Sequence, residues 1–274
     1  MMVWNKWIRL KQLKMVLSCL AMILVQLIVI THALKMNHHL PPSTSSSSTT
    51  FQGQNQPFTW EAELDAKTGL ASSREDSSFQ MISQTKTTGT VDHIRGVSEK
   101  FVATWPYFVC KGSVTFGLFR AAAKDKNKNR TSSNTICIQP RFLPVSLLGF
   151  GKPQRQQKTN LVGKPRQQMV GMWEIPLNGG LLALVPHKGK LVFSISKTMK
   201  APEKGAGTVN DIYQISTQIV DYQPWLAGHP PVSSIRKWLY LSTQSHIHAY
   251  ITWRFHKAWK DEISCKQSMP QNYQ

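Results

Sequence analysis

The chain has 274 residues, and its 33 Lys and Arg against 14 Asp and Glu give a formal charge of +19. Such a charge favours anionic partners such as lipid headgroups, nucleic acid, or phosphorylated and sulfated ligands. The length allows a real hydrophobic core, and 9 Trp and 11 Phe exclude a wholly disordered chain. The 4 Cys show no CxxC or Cys/His metal spacing, so a structural zinc site is not expected.

An uncharged segment follows a basic N-terminus. Residues 1–14 contain Lys and Arg but no acid, and residues 15–34 carry no formal charge. At about 1.5 Å per residue, a helix of this segment would span the roughly 30 Å hydrocarbon core of a bilayer. We therefore predict a transmembrane signal anchor at 15–34, with a cytosolic basic tail at 1–14 and the remaining chain in the lumen or outside the cell. Cleavage after Ala33, as in a signal peptide, is the alternative.

A Ser/Thr-rich tract that begins at Pro41 comes next. It cannot bury apolar area, so we predict a stem at 35–56, a globular domain at 57–265 and a disordered tail at 266–274. Asn129 begins the N-glycosylation sequon in the polar stretch KDKNKNRTSSN, which indicates an exposed loop of a glycoprotein. These segments predict a location in a membrane of the secretory pathway: endoplasmic reticulum, Golgi or cell surface.

The first half of the globular domain gives mixed signals. Residues 58–64 alternate apolar and polar side chains and predict a strand, whereas 70–90 is rich in Ser, Thr and Gln and is expected to be irregular. The stretch 101–119 is dense in aromatic and β-branched residues, so we expect two extended pieces joined by a turn. Cys110 in this stretch and Cys137 beyond it could pair in an oxidising lumen, or both could remain thiols.

Four strands with hairpin signals between them are predicted at 170–175, 180–185, 190–196 and 211–220. Asn-Gly-Gly and Lys-Gly are typical of the tight turns that join antiparallel strands. The set therefore predicts an antiparallel meander.

The periodicity then changes to that of a helix. Ser233 or Ser234 can cap its start, and apolar residues recur afterwards at three- and four-residue spacing. This pattern predicts an amphipathic helix of about 25 residues that ends before Ser264. The fold class that follows is α+β: an N-terminal transmembrane helix, plus a curved antiparallel sheet packed on a long C-terminal helix.

Three segments resemble the START-like helix-grip (SRPBCC) superfamily, namely KLVFSIS, IYQISTQIVDYQPW and SSIRKWLYLSTQSHIHAYITWRFHKAW. They are similar to the last strands and the final helix of that fold, and they lie in the last third of the chain. The resemblance implies a cavity between sheet and helix for an apolar or lipid-like ligand. The side chains expected to line that cavity are Glu174, Trp173, Tyr213, Trp238, His246 and Tyr250.

Candidate catalytic groups are scarce. Glu174 lies among apolar residues in GMWEIPLNGG, where a carboxylate is costly unless it is paired, so it is the best candidate for a functional acid. Asp221 is a second candidate and equally suits a turn. His246 and His248 are two residues apart, about 200° around a helix, so they cannot bind one metal ion together. The sequence contains no recognised nucleotide, metal or hydrolase motif, and we predict no catalytic residue, metal or cofactor.

Two functions fit these features. The first is a membrane-tethered lumenal or extracellular domain that binds a hydrophobic or lipid-like small molecule. Its partners would be the lipid membrane, through the N-terminal segment, and a hydrophobic or anionic ligand. The alternative is a Golgi-type lumenal transferase, glycosyltransferase-like and of type II topology, although the D-x-D motif of such enzymes is missing. The predicted topology places the basic domain away from nucleic acid, which is not expected as a partner.

Overall fold

A ten-stranded antiparallel sheet dominates this computed structural model, which describes residues 49–53, 56–83, 89–115, 117–124, 135–156, 167–185, 188–198 and 209–267. All of these residues belong to one unit, Ser47–Gln274. The strands are β1 (Thr49–Gly53), β2 (Gln56–Leu64), β3 (Ala71–Ser83), β4 (Phe119–Lys124), β5 (Thr135–Pro140), β6 (Leu148–Phe150), β7 (Gln154–Arg155), β8 (Gln167–Gly179), β9 (Lys190–Thr198) and β10 (Val209–Tyr222). Their order in the sheet is β1-β2-β3-β10-β9-β8-β6-β5-β4, and β7 pairs with β8.

The helices fall into two groups. Between β3 and β4 lie three helices, α1 (Gly89–Ala103), α2 (Trp105–Val109) and α3 (Gly112–Thr115). After β10 come a 3₁₀ turn (Trp225–Ala227), α4 (Ser234–Leu239), a π-helical turn (Tyr240–Gln244) and α5 (Ser245–Gln267). The Ser233 hydroxyl caps α4 by accepting a hydrogen bond from the amide of Arg236, as the sequence indicated.

The core lies between one face of the sheet and the helices. Alternate side chains of a strand point to the same face, and on β8, β9 and β10 these are the large buried residues. Phe193 on β9 is 5.6 Å from Phe255 on α5, and Trp173 on β8 is 6.2 Å from Trp259, measured between ring centroids. The C-terminal helix α5 therefore covers the middle of the sheet.

The predicted fold class, α+β with an N-terminal transmembrane helix and a curved sheet packed on a long C-terminal helix, is wrong. The described part of the chain is a large antiparallel sheet with few helices, because three regions that carry no clear strand alternation also pair into it: β1, β3 and the β4–β6 group. None of the described helices is both long enough and apolar enough to cross a membrane. The segment at 15–34 lies outside the described residues.

Four local predictions are also corrected. The supposedly irregular stretch 70–90 contains the 13-residue strand β3, and most of 101–115 lies in helices α1–α3 rather than in extended pieces. Residues 180–185 form a turn with a single bridge from Ala183 to Pro224. The last helix passes Ser264 and ends at Gln267.

Candidate functional site

A buried carboxylate meets a histidine where α5 crosses β3. Glu75 lies on the helix-facing side of β3 with 0 % of its surface exposed, and its Oε1 is 2.9 Å from Nδ1 of His248 on α5. A charge in such a place is stabilised only if it is paired and hydrogen-bonded. His248 is its ion-pair partner among the described residues, and the side chain of His248 is itself only 18 % exposed.

A second hydrogen-bonded group adjoins this pair. His256 lies two helical turns beyond His248, and its two ring nitrogens contact hydroxyls on neighbouring strands. Nδ1 is 2.9 Å from Oγ of Ser77 on β3, and Nε2 is 2.8 Å from Oγ1 of Thr217 on β10. Thr217 lies directly opposite Glu75 in the β3–β10 register, so both groups belong to one patch of the sheet. We call Glu75, Ser77, Thr217, His248 and His256 the polar cluster.

The imidazole of His256 is held neutral. Burial disfavours the imidazolium, and the neighbouring His248 adds repulsion, so the pKa of His256 falls from 6.5 to about 3. A neutral ring has one N–H donor and one acceptor. One hydroxyl, of Ser77 or Thr217, therefore accepts a hydrogen bond from the ring and the other donates one to it, which fixes the ring between the two strands.

Around the polar cluster, several buried polar atoms have no hydrogen-bond partner among the described residues. Two belong to the cluster itself, Oε2 of Glu75 and Nε2 of His248. Three more come from side chains beside it: Nε1 of Trp60, Oγ of Ser73 and Oγ1 of Thr252. We call these first five atoms the open polar atoms. Five further buried atoms without a partner among the described residues belong to Asp76, Trp173, Tyr213, Ser216 and Gln244.

Register and helix periodicity bring the open polar atoms' side chains to one region. Trp60 lies opposite Glu75 in the β2–β3 register, and Ser73 is two residues away from Glu75 on the same face of β3. Thr252 follows His248 by four residues on α5 and thus lies on the same side of the helix. An unsatisfied buried polar group costs about 1–3 kcal/mol, so native proteins rarely leave several of them together unless water or a ligand completes them.

Apolar and aromatic side chains surround this polar region. On its outer side Phe58, Trp60 and Ala62 of β2 pack against Ala249 of α5. On its inner side the ring of Trp105 lies 6.2 Å from that of His248. The region therefore combines apolar side chains with a few polar atoms, the composition that is usual in the lining of small-molecule sites.

A π-helical turn precedes the helix that carries His248 and His256. Such turns are rare and frequently lie at functional sites. Tyr240 in this turn is buried, and burial raises its pKa, with the nearby Tyr222 and Glu75 raising it further. Gln244 donates from Nε2 to the Tyr222 hydroxyl at 3.0 Å, and that hydroxyl donates to the carbonyl of Leu182 at 2.6 Å. These bonds fix the turn beside the polar cluster.

Glu174, the predicted functional acid, lies on the opposite face of the sheet. Its Oε1 is 2.9 Å from Nζ of Lys190, and both side chains are partly exposed. The sequence signal was misleading because the apolar neighbours of Glu174 alternate with it and point to the other face. Asp221, the second acid, is exposed and has a positive φ of 55° at a bulge of β10.

Two of the predicted cavity residues are buried in the core. Trp173 packs against Trp259, and its ring lies over Gly171, where an added Cβ would come within 2.4 Å of it. Tyr213 stacks on Phe79 at 5.7 Å, and burial raises its pKa to about 12, with the Asp211 charge adding to the effect. Neither residue belongs to the polar cluster.

The three predicted helix residues have different positions. Trp238 is 67 % exposed on α4 and does not line the interior. Tyr250 is half-buried, with its ring 6.2 Å from that of Trp253. His246 packs on Trp60 at 4.9 Å, and its Nδ1 lies 2.8 Å from the carbonyl of Leu241. His246 thus contacts Trp60, which carries an open polar atom.

The cysteines proposed for a disulfide are both thiols. Cys137 is buried on β5 and Cys110 follows α2. Burial raises the pKa of the Cys110 thiol to about 11, although the charge of Arg141 acts in the opposite direction. The glycosylation candidate Asn129 lies outside the described residues.

The sequence does not predict the polar cluster. Glu75 is 173 positions from His248, and Ser77 is 179 positions from His256, so no local spacing joins them. One signal was present: Ser73, Glu75, Ser77 and Phe79 alternate at the period of a strand. Polar residues on the inner face of a strand break the usual apolar pattern, and such breaks are expected at functional sites.

No protein-family model matches this chain, and a comparison with curated proteins gave no match. The chemistry of the site must therefore come from its own residues. In the described ranges, no group of three or more His, Cys, Asp or Glu is arranged to hold a metal ion. What the region can offer is hydrogen bonding: acceptors on Glu75, a donor on Trp60, and hydroxyls that can do either on Ser73 and Thr252.

Proposed function

We propose that this chain is a binding domain for a hydrophobic or lipid-like small molecule that carries one polar group. The molecule would lie between α5 and strands β2 and β3, with its polar group among the open polar atoms. One observation carries the proposal: the five open polar atoms lack a partner among the described residues, at an interface that also holds the apolar cluster of Phe58, Trp60, Ala62 and Ala249. A polar group of the ligand would complete their hydrogen bonds, while the apolar and aromatic side chains of β2 and α5 would contact its apolar part.

The compartment rests on sequence alone. The uncharged segment at 15–34 after a basic start supports entry into the secretory pathway, with the domain facing the lumen or the outside.

The test is whether the full chain carries a small molecule and whether blocking the region removes it. The protein would be expressed in a eukaryotic host, purified in non-ionic detergent, and extracted with organic solvent for mass spectrometry. Ser73→Leu would place a branched apolar side chain beside Glu75, whereas Ser72→Leu makes the same change at an exposed position of the same strand.

We expect near-stoichiometric amphiphile from the wild type and from Ser72→Leu, and at least about tenfold less from Ser73→Leu. Thermal unfolding would confirm that both variants are folded. The proposal fails if the wild type carries no amphiphile above a mock purification and gains no thermal stability when amphiphiles are added. It fails equally if Ser73→Leu, shown to be folded, retains the molecule.

A further inference from the structure

The open polar atoms define the chemistry of the group they can bind. Oε2 of Glu75 is fully buried and has no partner among the described residues, while the other carboxylate oxygen already lies against His248. A carboxylate oxygen only accepts hydrogen bonds. The matching group must therefore bring a hydrogen-bond donor to Oε2.

The protonation of His248 does not change this requirement. If the ring is neutral, its Nδ1–H donates to Glu75, and Nε2 is then a second acceptor. If the ring is charged, Nε2–H is a donor that faces the same region as the carboxylate oxygen. When the ring is neutral, the ligand must donate two hydrogen bonds, one to Oε2 and one to Nε2. When the ring is charged, the ligand must donate to Oε2 and accept from Nε2. A hydroxyl has one hydrogen and two lone pairs, so it fits the second state and serves one of the two acceptors in the first. A primary amine can donate to both acceptors of the first state.

An anionic group fits neither state. A carboxylate or phosphate diester has no hydrogen to give to Oε2, and it would lie against the negative charge of Glu75 with little water to screen it. His248 is the only ion-pair partner of Glu75 in the described part of the chain, and one imidazolium cannot neutralise two buried anions. The net charge of +19 favours anions at the surface, but it does not extend to this buried region.

We infer that the binding region selects amphiphiles whose polar end is a hydroxyl or a primary amine and discriminates against the corresponding carboxylate. The inference rests on the proposed function and names its ligand class. Trp60 Nε1, Ser73 Oγ and Thr252 Oγ1 supply donors for the lone pairs of a hydroxyl, while Glu75 Oε2 takes its hydrogen. The aliphatic part then lies against the aromatic and apolar side chains of β2 and α5.

The experiment compares three ligands with the same alkyl chain: dodecanol, dodecylamine and dodecanoate. Their affinities for the full chain in non-ionic detergent would be measured at neutral pH by competition with a fluorescent fatty alcohol. We expect at least one of dodecanol and dodecylamine to bind at least about tenfold more tightly than dodecanoate, a factor that one repulsive contact readily produces.

Glu75→Gln tests the origin of this preference, because its amide can donate to a carboxylate. The preference should fall below about threefold in that variant. Glu174→Gln makes the same chemical change on the opposite face of the sheet and should keep the wild-type preference. Thermal unfolding would check that both variants are folded, and the wild-type ranking decides by itself if Glu75→Gln is not.

The outcomes separate the two proposals. If none of the three ligands binds, the proposed function fails. If dodecanoate binds as tightly as dodecanol and dodecylamine or more tightly, the binding function stands and the inferred class is wrong. If the preference survives Glu75→Gln in a folded variant, Glu75 is not its source and the inference is again wrong.

Discussion

The two regions of the interface between α5 and the sheet have opposite character. Over β9, β8 and the helices α1 and α2, the contact consists of aromatic rings: Phe255 lies 4.7 Å from Trp105 and 4.8 Å from Phe101. Over β2, β3 and β10, the same helix meets the polar cluster and the open polar atoms. We call these the aromatic region and the polar region.

The difference indicates that one part of α5 stabilises the fold, while another part of the same helix carries the candidate binding site. Buried aromatic residues contribute most to core stability, and rings in contact add to the effect of area alone. Unsatisfied buried groups have the opposite effect. A sheet this size can tolerate the polar region because the aromatic region stabilises the same helix, and a ligand that completes the polar atoms would then stabilise the whole interface.

The largest expected effect comes from removing a ring in the aromatic region. Phe255 is fully buried and its ring meets five others. We expect Phe255→Ala to lower the free energy of unfolding by about 3–5 kcal/mol, since both transfer energy and a cavity term are lost. Urea denaturation measures this, with Phe142→Ala at a 57 % exposed position as the control, expected within about 0.5 kcal/mol of the wild type. If Phe255→Ala lowers the free energy of unfolding by less than about 1 kcal/mol, the aromatic region is not the main source of stability at this interface.

The next largest effect is a pH dependence of the free energy of unfolding, which arises from His256 in the polar region. The folded-state pKa of His256 is about 3, against an ordinary 6.5. Between these two pH values the unfolded chain therefore binds a proton at His256 that the folded chain does not bind. Stability should therefore fall as the pH drops from 6.5 toward 3, by up to about 1.4 kcal/mol per pH unit from this residue.

The test uses His256→Gln, which retains a donor and an acceptor for Ser77 and Thr217 but does not titrate. The variant should be less stable than the wild type near neutral pH. The gap between them should narrow by roughly 2 kcal/mol when urea unfolding is repeated two pH units below 6.5. Parallel pH dependence in the two proteins would show that His256 is not held neutral by burial.

Apolar periodicity in the sequence predicted three of the strands and the C-terminal helical segment. The alternation at 58–64, 190–196 and 211–220 corresponds to β2, β9 and β10, because each strand places apolar residues on one face. The three- and four-residue spacing after Ser233 likewise corresponds to helical structure from α4 to α5. In these segments the local preference and the tertiary contacts agree.

Two failures have different physical causes. Strand β3 was missed because its inner face carries Ser73, Glu75 and Ser77, so the apolar alternation that identifies a strand is absent there. The helices between 101 and 115 are not predicted because aromatic residues are typical of strands, whereas Trp105, Pro106 and Phe108 are buried in the short helix α2. Aromatic content reports burial in a core more reliably than it reports the kind of element.

The smallest expected effect on the free energy of unfolding comes from Glu174, which differs from Glu75 in its surroundings. Glu75 and Glu174 both lie within strands, yet one faces α5 with no exposure and the other faces the opposite side beside Lys190. A partly exposed ion pair contributes about 0–1 kcal/mol, so Glu174→Gln should change the free energy of unfolding by no more than that. Urea denaturation at low and at high salt measures the change, which salt should reduce further. A cost above about 2 kcal/mol would contradict this comparison, because it would mean that Glu174 stabilises the fold to an extent comparable with Phe255.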